Sequence, residues 1–309
     1  MLWLLINFFF WAHNFFMTRI KTKPLHDHFG ADVLDIDLAT VTADHLFPEI
    51  RGLFETHSMV LFRNQQFDGD VHMRLAQLFG PLENREAMAG DRDIPFEIPK
   101  VSNERDDGSL LGENDMRLLD LQANMLWHTD STFLPVPALA NLLTARVVPS
   151  SGGATEFAST RRGWADMPVR LRQHFEHASL WHRLSHSRAR INPDLAAMNK
   201  MTRWPDRCWK ALWRNPVTEE DALYIASHAF SIDGHDSTDQ GASLIDEAIA
   251  FMTTPDRVYT HQWQVGDVLI WDERAVLHRG TPWPYDEPRT LESICVSVTA
   301  ADGLDVMYG

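Results

Sequence analysis

The chain has 309 residues, 44% hydrophobic and 23% charged, an ordinary globular composition with enough length to bury a sizeable core. With 28 Lys and Arg against 43 Asp and Glu, its formal charge of −15 argues against a nucleic-acid or anionic-membrane surface, though a cationic pocket within an acidic shell is compatible with it. Cys208 and Cys295 are too few for a disulfide framework and lack metal-site spacing, which points to a reducing, cytoplasmic compartment.

Residues 1–16 are strongly apolar but short for a membrane span, and Asn7, His13 and Asn14 interrupt them. They carry no basic n-region or small-residue cleavage site, so a signal peptide is a poor reading. They are expected to be an extension outside the domain. No repeat, low-complexity tract or Ser/Gly linker divides the rest, so residues 17–309 are expected to form a single domain. A strand is predicted at 33–36, then a helix over 44–57 with Leu46, Ile50, Leu53 and Phe54 at helical spacing, then a strand at 59–63. Asp68 reads as the N-cap of a helix carrying Val71, Leu75, Leu78 and Phe79 on one face, stopped by Gly80-Pro81. Residues 82–123 are polar and irregular, with a strand at 98–103, and form a candidate lid. A long strand at 138–148 leads through the Gly152-Gly153 turn into another strand, and 162–177 reads as helix. A second irregular stretch, 182–220, is dense in Arg, Trp and His. It is followed by a strand at 223–226, a helix at 242–252 and a strand at 258–263. An apolar strand at 266–272 is continued by 276–278. Gly280, Pro282, Pro284, Asp286 and Pro288 then break the chain, and 291–298 returns as a strand, so the whole reads as a hairpin. Many strands with few, scattered helices indicate a sandwich or barrel rather than an alternating βαβ sheet.

The segment Trp127-His128-Thr129-Asp130 carries the chemistry. A His-x-Asp pair at a strand end turns both side chains to one face. A single remote histidine, His278, would complete a two-His-one-carboxylate set that leaves positions open on a non-haem Fe(II). The pair alone is weak evidence in a chain with 15 His, and the same donors can hold zinc and activate water. Arg289 strengthens it, because the returning strand would set a fixed cation beside His278, suited to an anionic co-substrate chelating the metal. The other histidines read as solvated or hydrogen-bonded, with His228 and His261 at strand ends near the site. The eleven Trp read mainly as core, and Arg162 and the basic residues of 183–203 as solvated charge.

Three separated motifs carry a resemblance. They are Asn124 to Phe133 around the His-x-Asp pair, Val148 to Phe157 around Gly152-Gly153-Ala154-Thr155, and Trp271 to Arg279 around His278, followed by Pro288-Arg289. On these the chain resembles the taurine/2,4-dichlorophenoxyacetate dioxygenase family of Fe(II)- and 2-oxoglutarate-dependent oxygenases, through about residues 25–299. The resemblance implies a mainly β domain with flanking helices, a double-stranded β-helix (jelly roll, cupin-like) whose open end holds the metal. It implies Fe(II) on His128, Asp130 and His278, with 2-oxoglutarate and O2 as co-substrates. Thr155 and Arg289 would grip the distal carboxylate of 2-oxoglutarate, while Asn124 and Ser293 would face the substrate. The chain departs from the family at Glu273, where Asn is usual. It departs again at Ser293, where members acting on taurine or 2,4-dichlorophenoxyacetate carry Arg. A replacement cation could come from Arg183, Arg188, Arg190, Lys200 or Arg203. Pro282-Trp283 and Pro288-Arg289 are nearest to the phenoxypropionate-cleaving branch. The expected function is therefore hydroxylation of a small, aryloxyalkanoate-like carboxylate, with ether cleavage following and with succinate and CO2 formed. The alternatives are a zinc-dependent hydrolase on the same triad and a non-catalytic 2-oxoglutarate-binding protein. The expected partner is a small molecule, with neither nucleic acid nor membrane involved; a homo-oligomer stays open.

Overall fold

The computed structural model describes residues 20–90, 94–234 and 238–308, and the segment 1–16 lies outside the described residues. The strand Ala138–Val147 is central, and its first eight residues are all buried. Successive side chains alternate between the two faces of the sheet, and both faces are covered. Leu142 packs on the same side as Val60, Phe62, Ile270 and Val296, against Ile50, Phe54, Val71, Leu75 and Phe79 of two helices. Leu143 joins Met59, Leu61, Leu269 and Leu291 on the opposite side, facing Phe157 and Val276. The principal sheet has seven strands in the order Lys21–Pro24, Ala31–Leu34, Met59–Phe62, Val268–Asp272, Ala138–Val147, Thr290–Ser297, Lys100–Ser102. Among its described strands, only the pairing of Ala31–Leu34 with Met59–Phe62 is parallel. A three-stranded sheet, Val258–His261, Thr155–Ser159 and Val276–Gly280, covers its inner face. Two sheets wrapped face to face with helices outside form the double-stranded β-helix.

The two covering helices are Phe47–His57 and Gly69–Phe79. The first starts later than its apolar spacing predicts, because Leu46 takes a φ of +64° and Pro48 occupies the first turn. The second is capped as read: the Asp68 carboxylate accepts from Val71 N at 2.9 Å. The predicted helix over 162–177 is instead two short ones, Thr160–Asp166 and Val169–Arg172, interrupted where Pro168 bars a continuous ladder. The stretch 182–220 contains three short helices and two strands, and with Ser179–His182 and Ala229–Ile232 it supports the helix Thr238–Met252.

The expected hairpin also fails. Val276–Gly280 and Thr290–Ser297 are not a hairpin: the first pairs with Thr155–Ser159 and the second with Ala138–Val147 and Lys100–Ser102. Nor does Val276–Gly280 simply continue Val268–Asp272; residues 273–275 carry the chain from one sheet to the other. That crossing is pinned by a buried ion network. Arg274 donates to both oxygens of Asp272 (2.8 and 2.9 Å) and to Glu55 Oε2 at 2.6 Å, while Glu55 also accepts from Asn215 and Arg51. Among the described residues, no helix is long and apolar enough to cross a membrane.

Candidate metal centre and active-site cavity

His128 is held by an isolated antiparallel bridge to His278 rather than by a regular strand; His128 N donates to His278 O at 3.0 Å and His278 N to His128 O at 2.8 Å. This reciprocal pair sets the two imidazoles side by side, ring centroids 4.2 Å apart. Ser131, at a φ of +61°, then turns the chain away. Asp130 lies between the rings. Its Oδ1 is 3.7 Å from His128 Nε2 and its Oδ2 is 3.7 Å from His278 Nε2. These separations are long for hydrogen bonds, and one ligand atom from each residue lies within 4.8 Å of the others. No other such group of His, Cys, Asp and Glu occurs among the described residues.

The donor chemistry fits a cation. His128 Nδ1 bonds Leu126 O at 2.7 Å, a carbonyl that can only accept, so the Nε2 lone pair is left toward the cluster. Burial keeps both imidazoles neutral, pushing His278 down to about 3 and lowering His128. Burial would raise Asp130, but His278, His128 and Arg85 outweigh it and hold the carboxyl well below the usual range. Phe157 stacks on the His278 ring with centroids 6.2 Å apart, and Trp271 packs against it at 4.7 Å. Two neutral imidazoles and one carboxylate, held rigidly by aromatic neighbours, are a set that Fe(II) accepts.

The triad opens on a cavity of about 610 Å3 whose lining includes Asn124, Thr155, Arg188, His228, Arg289, Ser293 and Cys295. Arg289 is buried, stacks over Trp283 at 5.0 Å, and donates through Nε to Gly153 O at 3.0 Å. It has no carboxylate partner among the described residues, and burial pushes it down to about 10. The Gly152-Gly153 turn makes this seat: both glycines have positive φ, and an added Cβ would stand 2.4 Å from Pro282 O or 3.0 Å from Arg289 Nε. Asn103 accepts from Arg289 N at 2.8 Å while its amide donates to Tyr285 O and Glu287 O, fixing the crossing loop. Thr155 accepts from Trp263 Nε1 at 2.8 Å. An indole N–H can only donate, so the Thr155 hydroxyl proton is left for the cavity.

Arg188 stands opposite the expectation of solvated charge. Its side chain is 12% exposed, and it bonds Asp120 Oδ1 at 3.0 Å, Ser187 Oγ at 3.1 Å and Asn124 Oδ1 at 3.4 Å. Asn124 thus lies on the cavity wall as a support for Arg188. Lys200 also lines the cavity and shares Asp120, whereas Arg183 and Arg203 are held in ion pairs with Asp206 and Glu86 and Arg190 pairs with Asp246. His228 lines the cavity with Nδ1 on Ser187 Oγ at 2.9 Å; His261 does not line it, being bonded to Asp267 and packed on Trp263. His182 is buried with neither ring nitrogen bonded among the described residues, unlike the solvated or bonded state read for the remaining histidines.

Two residues of the site escaped the sequence reading. Asn141 donates to Asp130 Oδ2 at 2.8 Å, and its only signal was an amide set in a run of apolar strand residues. Glu273, read only as a departure from the family, is buried with Oε2 accepting from Asp130 N at 2.9 Å. Burial, then the Asp130 carboxylate, pushes Glu273 well above the usual carboxylate range.

Comparison with known proteins agrees with this geometry. Residues 21–295 match the family described as taurine catabolism dioxygenase TauD, TfdA family. The chain is 31% identical over 275 residues to the alpha-ketoglutarate-dependent 2,4-dichlorophenoxyacetate dioxygenase of Cupriavidus pinatubonensis, covering 88% of this chain and 96% of that one. It is 31% identical over 276 residues to the (S)-phenoxypropionate/alpha-ketoglutarate-dioxygenase of Sphingobium herbicidovorans, covering 87% and 91% respectively. The crystal structure of AAD-2 in complex with Mn(II) and N-oxalylglycine superposes with a TM-score of 0.83 at 28% identity, covering 91% of this chain and 98% of that one. The fold, the triad and the sequence match together place this chain in the TauD/TfdA family of 2-oxoglutarate-dependent dioxygenases.

Proposed function

We propose that the chain hydroxylates a small carboxylate-bearing substrate of the aryloxyalkanoate type, using Fe(II), 2-oxoglutarate and O2. One observation carries the reading: a His-Asp-His cluster with both imidazoles buried shares a single cavity with two arginines, the buried Arg289 and the half-buried Arg188. His128, Asp130 and His278 hold the iron. When bound, iron with 2-oxoglutarate and O2 supplies the oxidation that converts a substrate C–H to C–OH, with succinate and CO2 as co-products.

The protein's own residues bind, orient and exclude water. Arg289 has a fixed guanidinium and no carboxylate partner among the described residues, so the distal carboxylate of 2-oxoglutarate becomes its partner, and the free Thr155 proton adds a second donor. Arg188 takes the substrate carboxylate. It is half-buried and tethered by Asp120, Ser187 and Asn124, which leaves little side-chain entropy to lose on binding. It replaces the cation that relatives place at the position of Ser293. Phe133, Met125 and Trp271 give the cavity an apolar wall for an aryl group. Hydroxylation beside an ether oxygen yields a hemiacetal, which collapses to a phenol and a keto acid. The relatives of this chain act, by their names, on 2,4-dichlorophenoxyacetate and (S)-phenoxypropionate, both aryloxy carboxylates. A dicarboxylate-binding arginine has no use in a zinc hydrolase.

The test is O2-dependent succinate release from the Fe(II)-loaded protein with a 2-aryloxypropionate, 2,4-dichlorophenoxyacetate and taurine. Turnover is expected on the aryloxy acids, lost in Arg188→Met, and absent on taurine. Efficient taurine hydroxylation, or full aryloxypropionate turnover by Arg188→Met, would overturn the assignment of the substrate.

A further inference from the structure

We propose that Ser293 and Asn141 form a positioning relay that sets the rotation of the Asp130 carboxylate; the proposal rests on the reading of Asp130 as a metal ligand. Asn141 lies at the middle of the central strand, opposite Trp271 on one side and Cys295 on the other. Strand periodicity turns Asn141, Trp271, Ser293 and Cys295 toward the inner face, under the triad. The amide is 4% exposed and makes two contacts: Nδ2 donates to Asp130 Oδ2 at 2.8 Å, and Oδ1 accepts from Ser293 Oγ at 2.8 Å. The bond polarity follows from Asp130. An ionised carboxylate only accepts, so the amide must present Nδ2 to it, which leaves Oδ1 facing Ser293. The Ser293 hydroxyl donates to Oδ1 and closes the chain, while the flipped amide is disfavoured at its other end, where Oδ1 would meet Asp130 Oδ2.

The relay has a geometric consequence. A carboxylate free to turn about its terminal bond adopts a broad range of angles. Tied at Oδ2 by Asn141, Asp130 keeps each oxygen at the same 3.7 Å from one histidine Nε2. Ser293 and Asn141 lie on adjacent strands of one sheet, so the tie is as rigid as the sheet.

The experiment titrates the metal-free protein with Co(II) alone, reading affinity and the visible ligand-field spectrum, and records the unfolding temperature of each metal-free variant. Asn141→Ala is expected to weaken Co(II) about 10–100-fold, as loss of a ligand's own hydrogen-bond partner does. Ser293→Ala is expected to weaken it about three- to tenfold with an altered spectrum, as loss of one buried hydrogen bond does. Ser293→Thr, which keeps the hydroxyl, should restore both. In an Asn141→Ala background, Ser293→Ala should add nothing further. The relay is overturned if Ser293→Ala binds Co(II) with wild-type affinity and spectrum, if Thr fails to rescue, or if the two losses simply add. Asp130→Ala separates the underlying reading: it should abolish Co(II) binding. Retained binding there would sink the ligand assignment itself, whereas abolished binding there with a silent Ser293→Ala would sink the relay alone.

Discussion

Arg289→Met should separate the two contributions of a buried arginine, because they have opposite signs. The guanidinium is buried, lacks an anion among the described residues, and is pushed down to about 10 by burial. A depression of that size corresponds to roughly 3 kcal/mol by which the folded, ligand-free protein is penalised for carrying the charge near neutral pH. Against this stand the Nε–H bond to Gly153 O and the stacking on Trp283, each worth about 1 kcal/mol. Methionine keeps most of the apolar stem, so the metal-free, ligand-free variant should unfold at the wild-type temperature or a few degrees higher. Binding moves the other way. Removing the partner of a buried carboxylate costs about 2–5 kcal/mol, so 2-oxoglutarate should bind roughly 30-fold to several-thousand-fold more weakly. The assay is thermal unfolding with and without saturating 2-oxoglutarate, beside an anaerobic titration of the visible band that forms when the keto acid meets Fe(II). Wild-type protein should gain stability with ligand by mass action, the variant should gain almost none, and Fe(II) affinity should change little. A variant that is destabilised by more than 2 kcal/mol, or that loses metal and 2-oxoglutarate equally, would show that Arg289 is a structural residue.

Three further outcomes are expected. Arg274→Met strands the buried carboxylates of Asp272 and Glu55 and should cost about 3–5 kcal/mol by chemical denaturation; a loss under 1 kcal/mol would mean that the crossing between sheets is held by apolar packing alone. Burial pushes His72 down to about 4 and His182 to about 3, so both are neutral when folded, while the unfolded chain takes up their protons near pH 6.5. Their stabilisation is complete above that pH and is lost as pH falls from 6.5 toward 4 and 3. The unfolding temperature should fall over this window, and His72→Gln with His182→Phe should flatten it; an unchanged slope would refute the assignment. Deleting residues 1–16 should leave substrate turnover and the Co(II) titration unchanged, since the family match begins at residue 21; a folded truncation without activity would show that the segment belongs to the domain.

Sequence alone determined the features whose physics is local or periodic. The strand faces follow from alternation, as Leu142 and Leu143 show by packing on opposite sides of the sheet. The Asp68 cap, the Gly152-Gly153 turn and the His-x-Asp pair depend on residues a few positions apart, and each stands where its spacing puts it. Strand partners are not local. Val276–Gly280 and Thr290–Ser297 read as a hairpin because a broken chain between two apolar runs looks the same whether it turns back or crosses to another sheet. The crossing before it, from Val268–Asp272 to Val276–Gly280, is stabilised by Arg274, Asp272 and Glu55, and only tertiary structure brings Glu55 to the other two. The same limit hid Asn141, which bridges Asp130, eleven residues before it, to the remote Ser293, and it left Arg188 indistinguishable from its basic neighbours. An arginine becomes a binding group when its surroundings remove water and leave its charge aimed at a cavity, and those surroundings exist only once the helix carrying Arg188 packs beside Asp120 and Asn124.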